Sequence, residues 1–306
     1  MDYALQTVDL TKRFGRRPAL DRVSMSVRRG EIYGFIGENG AGKTTLIRVA
    51  AGLAAPSEGS CSLFGSSSPA ELDKQRRRIG TMIENPALYP HMTAQENLEH
   101  YRLLFGVPDK SIVREMLRLV GLGDTGKKHA RRFSLGMRQR LALAIALLGN
   151  PDMLLLDEPM NGLDPSGIVE VRELLLRLNR EHGVTILISS HILGELSRIA
   201  TCYGIIRQGQ LVEECTAAEL TERSRRCLQI RVDDTKKAAF ILESKLGTTD
   251  FEVHPGETIR LYSFLDEPGE VNRLLCENNI RVDALGVKGL DLEAYFMELI
   301  GGGKHA

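Results

Sequence analysis

The stretch Gly37-Glu38-Asn39-Gly40-Ala41-Gly42-Lys43-Thr44 decides how the rest of the chain is read. It fits the spacing G-x-x-x-x-G-K-[ST], and both flanks that give this pattern meaning are present. The run EIYGFI before it reads as a strand, and LIRVAAGL after it reads as a helix. Gly37, Gly40 and Gly42 let backbone N–H groups curl around phosphate oxygens with no Cβ in the way, and the helix directs its positive N-terminal dipole at the same charge. Lys43 is placed to reach the β and γ phosphates of ATP and the Thr44 hydroxyl to hold Mg²⁺, with Asn39 and Thr45 completing the nucleotide-binding set.

Outward from this loop, short apolar runs at 32–36, 153–156 and 185–188 alternate with helix-period patterns, which predicts an α/β domain built on a mainly parallel sheet. Between residues 90 and 150 the strand signal fades. Residues 93–105, 111–120 and 136–148 carry apolar side chains at helical spacing and predict a helical insert. Beyond Leu220 comes the basic cluster Arg223, Arg225 and Arg226, and then a new rhythm. Strands are predicted at 228–232, 251–254, 259–262 and 280–287, with helices at 236–245, 270–278 and 292–300. The expected organisation is a P-loop NTPase domain over 1–222 and a small α+β appendix over 223–306, with a fraying tail from 301.

Composition narrows the function classes. Across 306 residues, forty Lys and Arg offset forty Asp and Glu, so no global field draws the chain to nucleic acid, and no nucleic-acid partner is expected. The five cysteines show no paired metal-ligand spacing and read as reduced thiols. The first residues lack a basic region and apolar stretch of the kind that directs export, and the longest apolar run, 141–148, is far short of the roughly 20 residues a bilayer span needs.

An acidic partner for the phosphate loop closes the strand MLLL: Asp157 can hold the magnesium shell, and Glu158 beside it can orient or deprotonate an attacking water. Alone, Asp-Glu after a strand is more often a solvated loop; together with the phosphate loop the pair specifies an NTPase. Just upstream, FSLGMRQRL opens a helix with Ser134 at its N-cap, so that Ser134 and Gly136 form a second anion site. Here the chain resembles the ABC ATPases, whose signature is written LSGGQ; Leu135 and Met137 depart from it.

The resemblance continues in family order. Asn161-Gly162-Leu163-Asp164 stands where the D-loop belongs, and His191 ends the run ILISS where the switch histidine belongs. Phe14 matches the aromatic that stacks on adenine, although a core role would suit it equally. Glu84 replaces the usual glutamine, and in IENPALYP, SLGMRQRLALAIALL and DEPMNGLDP, as in the closing LEAYFMELIGG, the chain looks like the bacitracin and lantibiotic self-protection branch. The resemblance implies two ATPase domains closing head to tail over two ATPs. Glu158 is then the general base, His191 contacts the γ phosphate, Asp164 couples the two sites, and Glu84 serves both catalysis and the metal. It further implies an integral membrane permease docked on residues 84–101 near Leu88, Tyr89 and Pro90, a peripheral place on the inner face of the cell membrane, and export of an antimicrobial peptide. Two alternatives stay open: a soluble ABC ATPase acting on DNA or ribosomes, and an engine of this design serving a lipid or drug.

Overall fold

A computed structural model describes residues 2–84, 88–224 and 226–288. The chain divides into two compact units, Met1–Ala217 and Ala218–Ala306.

The first unit opens with a hairpin of β1 (Tyr3–Phe14) and β2 (Arg17–Arg28), closed by the pair Phe14 and Arg17. Register shifts between Thr7 and Leu10 and again before Lys12, with Asp9 and Arg22 at φ 47° and 50°, break its alternation. Each bulge flips the faces on which side chains fall, which is why a period-2 reading of the sequence finds no strands here. Next come β3 (Ile32–Ile36), α1 (Lys43–Ala50) and β4 (Glu58–Leu63), and β4 pairs with β1 to give a separate antiparallel sheet in the order β2-β1-β4. After α2 (Pro69–Arg76) and β5 (Ile79–Met82) the insert supplies α3 (Ala94–Leu104), started by a reciprocal capping box of Thr93 and Glu96, then α4 (Ser111–Leu119) and α5 (Leu135–Leu147). A Cβ on Gly80 would lie 2.2 Å from the Ala146 carbonyl oxygen, so α5 packs directly on β5 and joins the insert to the sheet.

The unit is completed by β6 (Met153–Asp157), α6 (Pro165–His182), β7 (Thr185–Ser190), α7 (Leu193–Leu196), β8 (Cys202–Arg207), β9 (Gln210–Thr216) and the start of α8 (Ala217–Ser224). The main sheet runs β5-β6-β7-β3-β8-β9, parallel except for the final pair. Every residue of β3, β6 and β7 is buried, as strands covered on both faces must be, which explains their unbroken apolar runs in the sequence. This order brings the carboxyl ends of β6, β7 and β3 side by side. In an open parallel sheet that is where ligands bind.

The second unit contains β10 (Cys227–Val232), α9 (Thr235–Leu246), β11 (Phe251–His254), β12 (Thr258–Leu261), α10 (Pro268–Glu277) and β13 (Val282–Lys288). Its antiparallel sheet has the order β11-β12-β10-β13, a split β-α-β with ferredoxin-like topology. Leu228, Ile230, Ile259 and Leu261 meet Leu242 of α9 and Leu275 of α10 in its core. The helix expected at 292–300, the tail and the closing LEAYFMELIGG lie outside the described residues.

Candidate nucleotide site

The loop between β3 and α1 is shaped by close backbone approach. A Cβ on Gly37 would sit 2.4 Å from the Ile206 carbonyl oxygen, and Gly42, at φ 115°, presses to 2.5 Å against the Ala19 carbonyl in the same sense. Only glycine fits either place. Asn39 and Gly40 are exposed at the tip of the loop, and Thr45 follows Thr44 in the first turn of α1. The Lys43 side chain is only 5% exposed; its ammonium donates to the Gly37 carbonyl at 2.7 Å and the Glu38 carbonyl at 3.2 Å. It also stands 3.1 Å from Glu158 Oε1, an ion pair without hydrogen-bond alignment.

The strand ends beside the loop carry the acids. Asp157, buried at the end of β6, accepts from the Thr44 hydroxyl at 2.7 Å and from the Ser189 hydroxyl at 2.6 Å. Glu158 has left the strand with φ 50°, and its N–H donates to Ser189 Oγ at 3.0 Å. That left-handed turn aims its carboxylate at His191, whose Nδ1 lies 2.8 Å from Glu158 Oε2. Glu195, on α7, approaches from behind with Oε2 3.4 Å from the Ser190 hydroxyl. Burial holds its carboxyl above the usual carboxylate range, and the Glu158 charge adds to the rise while Ser190 and His191 oppose it.

The remaining residues singled out in the sequence fall at three places. Ser134 caps α5, accepting from the Met137 N–H at 3.2 Å, and Gly136 lies in the first turn of that helix. Asp164 caps α6 through the Gly167 N–H at 3.2 Å and accepts from the Ser166 hydroxyl at 2.9 Å, contacts that hold its carboxyl below the usual range. The two caps are neighbours, because a Cβ on Gly162 would meet Leu135 Cδ2 at 2.9 Å and one on Gly136 would meet Leu163 Cδ2 at 3.6 Å. Phe14 is 57% exposed at the end of β1, so it is not a core residue, and the Lys12 ammonium lies over its ring at 5.1 Å. Glu84, exposed and at φ 59°, pairs with Arg48 of α1. Among the described residues no hydrogen bond or ion pair joins Glu84 to Thr44 or Asp157.

Comparison with known proteins gives this arrangement its place. The ABC transporter family profile matches residues 20–161. The chain is 43% identical to the bacitracin transport ATP-binding protein BcrA of Bacillus licheniformis over 303 residues, covering 99% of both chains. The chain belongs to the ABC transporter ATP-binding proteins. It is also 40% identical to the lantibiotic transport ATP-binding protein SrtF of Streptococcus pyogenes, over 69% of this chain and 90% of that one. In three dimensions it resembles the dimeric post-hydrolysis state of an ATP-binding cassette bound to ADP and Pi, at 26% identity and a TM-score of 0.63, covering 70% of this chain and 98% of that one. The protein is therefore a nucleotide-binding ATPase, the ATP-binding subunit of an ABC transporter.

Three features of this ABC ATPase escaped the sequence reading. Ser189 bridges Asp157 and Glu158, Glu195 lies against Ser190 next to His191, and Arg48 holds Glu84. Ser189 and Glu195 both fall within ILISSHILGEL; Ser189 takes its meaning from Asp157 and Glu158 at the end of the neighbouring strand, and Glu195 from Ser190 once α7 folds back. The donor set also suits a hard divalent cation: Asp157 is a buried carboxylate held by two hydroxyls, with no cationic side chain bonded to it among the described residues. One carboxylate and one hydroxyl beside phosphate oxygens is the way Mg²⁺ is bound at such sites.

Proposed function

We propose that this subunit works as one half of an ATP-sandwiched dimer that drives an integral membrane permease from the cytoplasmic face of the cell membrane. The observation that carries this reading is the linked set Lys43, Glu158 and His191, in which one carboxylate touches both the loop lysine and the switch histidine. ATP lies with its adenine on Phe14 and its phosphates in the loop from Gly37 through Asn39, Gly40 and Gly42, bound by Lys43, Thr44 and Thr45. Ser134 and Gly136 of the second copy cover the γ phosphate, and Asp164 links the paired sites.

Glu158 accepts a proton from the attacking water, and the His191 imidazole, tethered through Nδ1, presents its other nitrogen to the γ phosphate. Thr44 and Asp157 would hold Mg²⁺, which when bound neutralises charge on the β and γ phosphates. Glu84 would join that shell on leaving Arg48. Its loop, with Leu88, Tyr89 and Pro90, is the permease-docking segment, and the names of BcrA and SrtF support an antimicrobial peptide as cargo.

The test is recovery of tagged chain from detergent-solubilised host membranes, with partners identified by mass spectrometry. A stoichiometric multi-span protein is expected, and Tyr89→Asp should release it. Recovery of ribosomal or DNA-binding proteins in its place contradicts the reading.

A further inference from the structure

The chain is neutral as a whole, yet residues 127–138 collect Lys127, Lys128, Arg131, Arg132 and Arg138, while the only carboxylate in 124–138 is Asp124. All five cations are exposed, and among the described residues none forms an ion pair. The backbone beneath them is pinned. The Ala130 N–H donates to the Met92 carbonyl at 2.8 Å and the Arg131 N–H to the Pro90 carbonyl at 2.9 Å, while the Ala130 and Phe133 side chains are buried. The Lys128 ammonium lies 3.8 Å from Met137 Sδ and 5.7 Å from the Phe133 ring centroid, which places it against the first turn of α5. A rigid segment thus holds unneutralised positive charge around the helix end that Ser134 caps. Such charge repels itself unless an anion faces it.

We propose that this belt is an electrostatic docking surface for a second, ATP-loaded copy of the same chain, so that ATP-driven pairing depends on ionic strength. The inference rests on the head-to-tail dimer of the preceding section. In that arrangement the first turn of α5 faces the triphosphate in the other copy's loop, whose rim carries the exposed Glu38. The α5 turn itself, from Leu135 to Met137, has no charged side chain, so the belt supplies the complement to those anions. Charge of this kind raises the rate of encounter and selects the partner that carries nucleotide.

Pairing of the full chain bearing Glu158→Gln is measured with ATP and Mg²⁺ by analytical ultracentrifugation at low and high NaCl. Between about 50 and 500 mM salt the dimer dissociation constant should rise by roughly tenfold or more, since screening shortens from about 14 to about 4 Å. Adding Lys127→Glu, Lys128→Glu and Arg131→Glu should weaken pairing at least as much at low salt and flatten its salt dependence. ATP affinity of the single chain should be unchanged, which also reports that the variant is folded. A salt-independent constant, or equal pairing by the charge-reversed chain, overturns the proposal. Binding of the parent to vesicles of anionic phospholipid, lost on charge reversal while pairing stays the same, also overturns it and assigns the belt to the membrane. Absence of pairing at every salt concentration removes the dimer reading itself, and the belt's role with it.

Discussion

His191 Nδ1 stands 2.8 Å from Glu158 Oε2, a contact that joins the residue after β7 to the residue after β6 beside the nucleotide loop. It is possible because Glu158 turns out of its strand at φ 50°, a conformation that costs a non-glycine residue about 1 kcal/mol or more and persists only when its surroundings impose it. Ser189 is the imposing group, accepting from the Glu158 N–H at 3.0 Å while donating to Asp157 Oδ1 at 2.6 Å.

Replacing Ser189 by alanine therefore removes the partner of a buried carboxylate oxygen and loosens the turn together. Urea unfolding should show a loss of about 1–3 kcal/mol. ATP turnover should fall as well, because the Glu158 N–H loses the Ser189 hydroxyl and keeps only the Ser189 carbonyl at 3.2 Å. Unchanged stability and turnover would mean that Ser189 Oγ is dispensable to both acids.

Phe14 offers an exposed ring at the end of β1, and the chain contains no tryptophan. Phe14→Trp should change its emission on ATP binding, and Phe14→Ala should raise the ATP dissociation constant by about tenfold, the scale of one lost base stack. Emission that stays constant at saturating ATP would place the adenine elsewhere.

Asp157→Asn removes the negative charge offered to a cation and leaves one oxygen to accept from Thr44 or Ser189, the other contact now facing an amide donor. The Mg²⁺ concentration for half-maximal ATP hydrolysis should rise at least about tenfold, and chelation of Mg²⁺ should abolish turnover of the parent. An unaltered Mg²⁺ titration would remove Asp157 from the metal shell.

Glu195 gives a pH signature. Burial raises its folded-state pKa, so the folded protein holds the proton more tightly than the unfolded chain. Its favourable contribution is complete below the ordinary carboxylate pKa and is lost as pH rises through the raised value. Glu195→Gln should therefore gain in melting temperature relative to the parent as pH rises through that window, and the gain should level off above it. A difference independent of pH would show that the carboxyl does not titrate with folding.

Much of this site is legible in the sequence because its chemistry is local. Gly37, Gly42 and Lys43 lie within one loop, and the buried runs before Asp157 and His191 mark β6 and β7 by their apolar character alone. Ser134 is likewise readable as a cap from the helix it precedes. The hairpin of β1 and β2 is hidden because its bulges break the alternation that would reveal it. Ser189 and Arg48 are hidden for another reason: their roles are set by partners 32 and 36 residues away, at Asp157 and Glu84. Glu84 shows the limit most clearly, since its place in sequence suggests the metal while its side chain lies on Arg48.

The most direct test of the account is single-turnover ATP hydrolysis by the parent and by Glu158→Gln, with oligomeric state followed in the same samples. The substitution should slow cleavage by about a hundredfold or more, the contribution expected of a positioned general base, and an ATP-bound dimer should accumulate. Cleavage at the parental rate, with no dimer formed, would contradict the assignment of Glu158 and with it the mechanism built on its contacts to Lys43 and His191.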